Sequence, residues 1–230
     1  MVPLRDENPT TLTPYVTYGL IALNVFIFFH QLTLTGSALE QFVWTWGVVP
    51  ARVTASLNGA ASGAVWLTLL SSQFLHGNFF HIGGNMLYLW VFGNNIEDKL
   101  GHGRYLYFYL LCGVLAAFSQ WFFFQQSQVP MIGASGAIAG IMGAYIIRFP
   151  SAKILTLFPI FFFFTIRIPA YIFLGFWFVQ QALASVATTV YASAGETSGV
   201  AYWAHAGGFV FGALLGPMFG LMDDVPPRRR

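Results

Sequence analysis

Charge is what this sequence has least of. Only 8% of its 230 residues are Asp, Glu, Lys or Arg, against about 25% in ordinary soluble domains, while 57% are apolar. Residues 8–39, 53–96, 105–147, 168–195 and 197–222 contain no charged side chain, which excludes a water-soluble globular fold. A bilayer crossing takes about 20 mainly apolar residues, so the longest of these stretches can each hold more than one element. Cysteine is nearly absent too: Cys112 alone, inside an apolar run, provides neither a disulfide framework nor a thiolate metal cluster. The net charge is only +2, and the basic residues are scattered apart from Arg228, Arg229 and Arg230. Nothing there calls for a nucleic-acid partner; the partner implied is the lipid bilayer.

Apolar length, Gly/Pro punctuation and charged flanks predict six helices, at about 15–33, 79–96, 104–125, 133–149, 168–190 and 200–222. The chain reads as a single all-α membrane domain over 1–230, with a leader at 1–14, a six-helix core at 15–222 and a tail at 223–230. The leader carries Asp6 and Glu7 beside one arginine, and no A-x-A site follows the first apolar stretch. An uncleaved first helix is therefore expected rather than a signal peptide. Ile154 to Ile166, bracketed by Lys153 and Arg167 and interrupted by Pro159, reaches about 20 Å as a helix, short of a ~30 Å hydrocarbon core. An interfacial or re-entrant loop is expected there.

Lys and Arg collect on the cytoplasmic side of membrane proteins. Six crossings with both termini cytoplasmic put Arg5, Lys99, Arg104, Arg148, Lys153, Arg167 and the three terminal arginines inside and only Arg52 outside. A seventh crossing at Ile154–Ile166 would make the distribution five against five. Six crossings are therefore expected, in an integral membrane of bacterial plasma (inner) membrane type.

In this orientation the second, fourth and sixth helices run inward, and the misplaced polar residues fall near their starts: His81 and Asn85, Ser135, and His205. His81 and Asn85, four apart, share a helix face. His205 shares a stripe with Gly208, Gly212 and Gly216. The fourth helix carries one small-residue row of Ser135, Ala139 and Gly143, and a second of Gly136, Gly140 and Ala144. Small-xxx-small rows let membrane helices approach backbone to backbone, so the fourth and sixth helices are expected to meet and bring Ser135 to His205.

A serine in a membrane helix usually just bonds a carbonyl one turn back. Ser135, however, lies between Gly133 and Gly136 at a helix start, where unpaired N–H groups favour developing negative charge. A histidine in reach is the general base that a hydroxyl nucleophile needs, and His81 and Asn85 carry N–H donors suited to an oxyanion hole. Glu40 and Glu196, the outer carboxylates, fall in loops, so the chemistry would run on a dyad. His76 reads as structural, His30 and His102 as solvated helix ends, and the Phe- and Trp-rich stretches, including Trp177, as lipid-facing or core surface. A haem-binding electron carrier with paired histidines would need a wide gap where the glycines near His205 argue for close packing.

At these residues the sequence resembles the rhomboid family of intramembrane serine proteases. His76–Asn85 resembles the family's H-x4-H-x3-N, Gly133-Ala134-Ser135-Gly136 its G-x-S-G, Ala204–Gly212 its A-H-x2-G-x3-G, and Glu97–Gly101 its E-x3-G. The resemblance implies a six-helix rhomboid-like bundle in which Ser135 is nucleophile, His205 base, and His81 with Asn85 part of the oxyanion hole. It implies cleavage of transmembrane protein substrates near the outer face, lateral substrate entry past the fifth helix, a small residue before the cut, a partly embedded loop at Thr33–Gly77, and no metal or organic cofactor. A pseudoprotease of the same fold usually lacks the nucleophile or base, and both are present. Two positions depart from the pattern of some members. Ala139 stands where a Tyr stacks on the histidine, so the residue that orients His205 is unnamed, and Leu67 follows Trp66 where an Arg would stand.

Overall fold

The computed structural model describes residues 1–60, 62–160, 162–192 and 200–223; Glu196 and the three terminal arginines lie outside the described residues. In chain order the elements are β1 (Val2–Asp6), α1 (Tyr15–Thr33), α2 (Ser37–Trp46), α3 (Pro50–Leu57), α4 (Val65–Ser71), a 3-10 turn (Ser72–Phe74), α5 (Phe79–Leu100), α6 (His102–Phe123), α7 (Ser135–Arg148), β2 (Lys153–Ile160), β3 (Phe162–Pro169), α8 (Ala170–Ala192) and α9 (Tyr202–Met218). All six predicted helices are present as α1 and α5 to α9, with ends moved by a few residues. Among the described residues three stretches, Tyr15–Thr33, His102–Phe123 and Ala170–Tyr191, are long and apolar enough to cross a membrane by length and composition. The 14 residues of α7 reach about 20 Å.

The all-α expectation is corrected by a three-stranded antiparallel sheet of order β1-β2-β3. The segment expected as a loop is a hairpin, pairing Lys153 with Pro169 through Ile160 with Phe162. The leader is not a free extension, because Val2 to Asp6 pair with β2. The physical reason is the local pattern: Ile154 and Thr156 are buried while Lys153 is exposed and Leu155 half-buried, a two-residue period of β-branched residues that suits a strand. Arg167 Nε also donates to the Glu7 carboxylate, tying β3 to the residue after β1.

Fully buried aromatics on α5 to α8, among them Phe92, Tyr105, Phe108, Tyr109, Tyr145 and Phe173, fill the core. Large apolar side chains such as Phe26 and Phe29 on α1 and Leu183 and Val186 on α8 point outward and are exposed. This outward apolar surface is what lipid-facing helices require.

The E-x3-G segment anchors α1 to α5. Glu97, fully buried, accepts hydrogen bonds from the N–H groups of Val16 (2.9 Å) and Thr17 (2.8 Å) and from Thr17 Oγ1 (2.7 Å). A carboxylate thus meets the positive end of α1. Asp98 Oδ1 accepts from the N–H groups of Thr11 and Leu12. Gly101, at φ +73°, turns the chain from α5 into α6 in a conformation that side-chain-bearing residues avoid. His102 is not simply solvated: its Nδ1 is 2.6 Å from Glu97 Oε1.

Packing of α7 on α9 is the most extensive helix contact. A Cβ added to Gly208 would overlap the Gly136 carbonyl, one on Gly212 the Gly140 carbonyl, and one on Gly216 would crowd Ala144. The row Gly136, Gly140 and Ala144 therefore faces Gly208, Gly212 and Gly216 position for position. Gly143 meets the Phe209 carbonyl just as closely.

Candidate active site

Ser135 is the first residue of α7, with Ala134 as N-cap. At that position the N–H groups of Ser135 and the next residues have no acceptor within the helix. The strand-like approach to α7 is fixed from two sides. Val48 and Met131 exchange backbone hydrogen bonds of 3.1 and 2.7 Å, and the Gly133 N–H donates to the Ser72 carbonyl at 2.9 Å. Gly133 has φ +125°, a backbone conformation only glycine adopts readily.

On α9, His205 is one turn from the helix start. The Trp203 N–H donates to Gln120 Oε1 of α6 at 3.0 Å, and the Trp203 ring stacks on Phe123 at 3.6 Å between centroids. The start of α9 is thereby clamped to the end of α6, while the glycine rows clamp its middle to α7. Across that seam His205 Nε2 is 2.8 Å from Ser135 Oγ. Both side chains are half-buried.

His81 and Asn85 reach the same place from α5. A Cβ on Gly133 would lie 2.7 Å from His81 Nε2 and 3.6 Å from Asn85 Nδ2, so both side chains lie against the backbone two residues before Ser135. His81 Nδ1 accepts from the Gly77 N–H at 3.4 Å. Used as an acceptor, that nitrogen leaves the ring proton on Nε2, the atom nearest Gly133. Behind them sits His76, buried, with Nε2 2.9 Å from Asn85 Nδ2 and its backbone bonded both ways to the Gln31 amide, at 3.0 and 3.1 Å. Gln31 has no motif around it, and its part in holding His76 is invisible in the sequence.

The other nitrogen of the His205 ring is occupied as well: Nδ1 is 2.8 Å from Oε1 of Gln181 on α8. Trp177, one turn earlier on α8, lies 6.1 Å from the His205 ring and 6.0 Å from Phe209. Trp177 is a half-buried side chain at the surface of the core, as expected, and it also packs beside the histidine. The available signal was that Gln180 and Gln181 are adjacent amides within a charge-free helix.

A cavity of about 1120 Å³ lies over these groups, lined by His81, Asn85, Ser135 and His205 together with the connecting segment between α6 and α7. Among the described residues, no group of three or more His, Cys, Asp or Glu gathers as a metal site would need. A serine hydroxyl on an imidazole nitrogen, beside free helix-start N–H groups and two side-chain donors, has the parts for acyl transfer.

A model of the Rhomboid domain matches residues 62–221. Rhomboid protein 1, mitochondrial, of Saccharomyces cerevisiae is 29% identical over 205 residues, covering 87% of this chain and 52% of its own length. Rhomboid protease GluP of Bacillus subtilis is 34% identical over 131 residues, 57% of this chain and 24% of its own. The presenilin-associated rhomboid-like protein, mitochondrial, of Bos taurus is 28% identical over 151 residues, 64% and 36% of the two chains. The chain thus spans about half or less of the length of these relatives. With mitochondrial and bacterial names among them, they lend no support to the expected bacterial plasma membrane, and the location reduces to an integral, multi-pass membrane protein. Since the domain match runs through well over half of its residues, the chain belongs to the rhomboid family.

Proposed function

We propose that this protein is an intramembrane serine endopeptidase that cleaves transmembrane segments of membrane-protein substrates by a Ser135–His205 dyad. The observation that carries the reading is the 2.8 Å approach of Ser135 Oγ to His205 Nε2, made across two helices whose glycines leave no space for drift.

Ser135 Oγ attacks the scissile carbonyl carbon as its proton passes to His205 Nε2. The oxyanion receives hydrogen bonds from the Ser135 N–H and from His81 and Asn85. Collapse of the tetrahedral intermediate breaks the C–N bond, and the imidazolium returns its proton to the leaving amine. Water, deprotonated by His205, then hydrolyses the acyl ester and restores the hydroxyl. The cavity supplies a place for that water in an otherwise apolar bundle.

Six crossings with cytoplasmic termini remain the topology we favour, and the placement of charge supports it. Arg5, Lys153 and Arg167 belong to the sheet, and Lys99, Arg104 and Arg148 lie at the helix ends on that side. Arg52 donates to the Trp44 carbonyl beside Ala51, whose N–H bonds Ser127 in the cavity-lining segment. The basic end and the Ser135 end are therefore opposite ends of α7. Cleavage is accordingly proposed near the outer face, with the substrate entering laterally past α8. Incubating the purified protein with a single-span substrate, beside Ser135→Ala and His205→Ala, tests the reading. Cleavage by the wild type and by neither variant is expected; cleavage persisting at the wild-type rate in either variant overturns it.

A further inference from the structure

The dyad has a third member in this chain. We infer that Gln181 is the positioning residue of the general base: its side-chain carbonyl holds the His205 ring by Nδ1–H in the one tautomer that can take the Ser135 proton. The inference rests on the dyad reading and adds to it the residue that stands in for a triad carboxylate.

Both ring nitrogens of His205 are used, at 2.8 Å each, one toward Ser135 Oγ and one toward Gln181 Oε1. A neutral imidazole carries one proton. If it sat on Nε2, the ring could not accept from Ser135, and Nδ1 would face the lone pairs of an amide oxygen. With the proton on Nδ1, the Ser135 hydroxyl donates to Nε2 and Nδ1–H donates to Gln181 Oε1. Only the second arrangement satisfies both contacts, and it is the one general-base catalysis requires.

Helix spacing explains why Gln181 can do this. Trp177 and Gln181 are four apart on α8, and His205 and Phe209 four apart on α9, so each pair shares a face. Trp177 lies against His205 and Phe209, which sets the register that brings Gln181 to Nδ1. Ala139 on α7 contributes only a methyl group, and Tyr202 is edge-on at 6.2 Å. Gln181 makes the hydrogen bond to Nδ1. The titratable groups facing the ring are Tyr202 on its own helix and His81 across the cavity; no carboxylate faces it among the described residues. An amide suits this position because a neutral acceptor costs far less to bury among apolar helices than an ionised carboxylate. It fixes the tautomer without contributing charge to the imidazolium.

The test compares the whole 230-residue chain with Gln181→Leu and Gln181→Glu in detergent micelles, reading kcat and KM on a single-span substrate from about pH 5 to 9, with Ser135→Ala as blank and melting temperature as fold control. Gln181→Leu is expected to lower kcat about 10- to 100-fold, the worth of one hydrogen bond to a group that becomes charged, with KM within about twofold. Gln181→Glu restores the acceptor, recovers at least tenfold of that loss, and moves the acid limb of the rate profile to higher pH because a carboxylate favours the imidazolium. Wild-type kcat in Gln181→Leu overturns the assignment and leaves the dyad standing. Equal loss in both variants also overturns it, since a mere helix contact has no reason to be rescued by an acid. A wild type no faster than Ser135→Ala would remove the dyad, and Gln181's role with it.

Discussion

Gly212 faces the carbonyl of Gly140 so closely that no Cβ fits between them. That contact lies two turns below the Ser135–His205 pair and sets the separation of the two helices carrying it. Gly212→Ala should push α9 from α7, and a misplacement of about 1 Å at reacting groups costs about a hundredfold in rate. Gly212→Val, with more to accommodate, should cost more. Gly175 on α8 has open space where a Cβ would stand, so Gly175→Ala serves as the control and should keep activity within about twofold. Initial cleavage rates of the three variants check this.

Glu97 answers a different question, that of what holds α1. Its carboxylate takes three hydrogen bonds from residues 16 and 17 in a fully buried position. Glu97→Gln presents an NH2 group to N–H donors that need an acceptor. A loss of about 1–3 kcal/mol is expected, seen as a lower thermal midpoint in detergent, while kcat of the folded fraction stays within about twofold.

Asp6 gives a pH dependence whose sign can be worked out. Burial raises its carboxyl above the ordinary 3.8, against the lowering effect of hydrogen bonds from Tyr145 and Asn95. The folded protein therefore binds this proton more tightly than the unfolded chain, so this group's contribution is greatest below the ordinary carboxylate range and is lost as pH rises through the raised value. Asp6→Asn keeps an acceptor and removes the titration. The difference in melting temperature, wild type minus Asp6→Asn, should fall as pH is raised through and above the carboxylate range; a difference that rises would contradict the burial account.

The topology can be read with a reporter fused after Arg230. A cytoplasmic signal is expected from six crossings, and an external signal would overturn that parse.

Much of this arrangement was legible in the sequence because lipid simplifies the code. Where charged side chains are nearly absent, at 8% of the chain, the four residues His81, Asn85, Ser135 and His205 stand out, and helical spacing places them. The glycine rows foretold the α7 and α9 contact, and the row of Gly136, Gly140 and Ala144 turned out to face Gly208, Gly212 and Gly216. The hairpin over Lys153–Pro169 was missed because its strand period is short and Pro159 reads as an interruption, while its partner β1 is distant in the chain. Gln181 was missed for a related reason. Two adjacent amides in a charge-free helix have no periodic signature, and only the packing of α8 on α9 shows which of them faces His205.

The dyad can be read most directly by active-site titration. The purified protein is treated with a fluorophosphonate, the adduct is mapped by mass spectrometry, and residual cleavage of a single-span substrate is followed in parallel. The dyad requires one adduct per chain, on Ser135, with cleavage falling in proportion to labelling, and labelling slowed at least about a hundredfold in His205→Ala, the scale of general-base assistance. An adduct elsewhere with Ser135 unmodified, or full cleavage after complete labelling of Ser135, would contradict it.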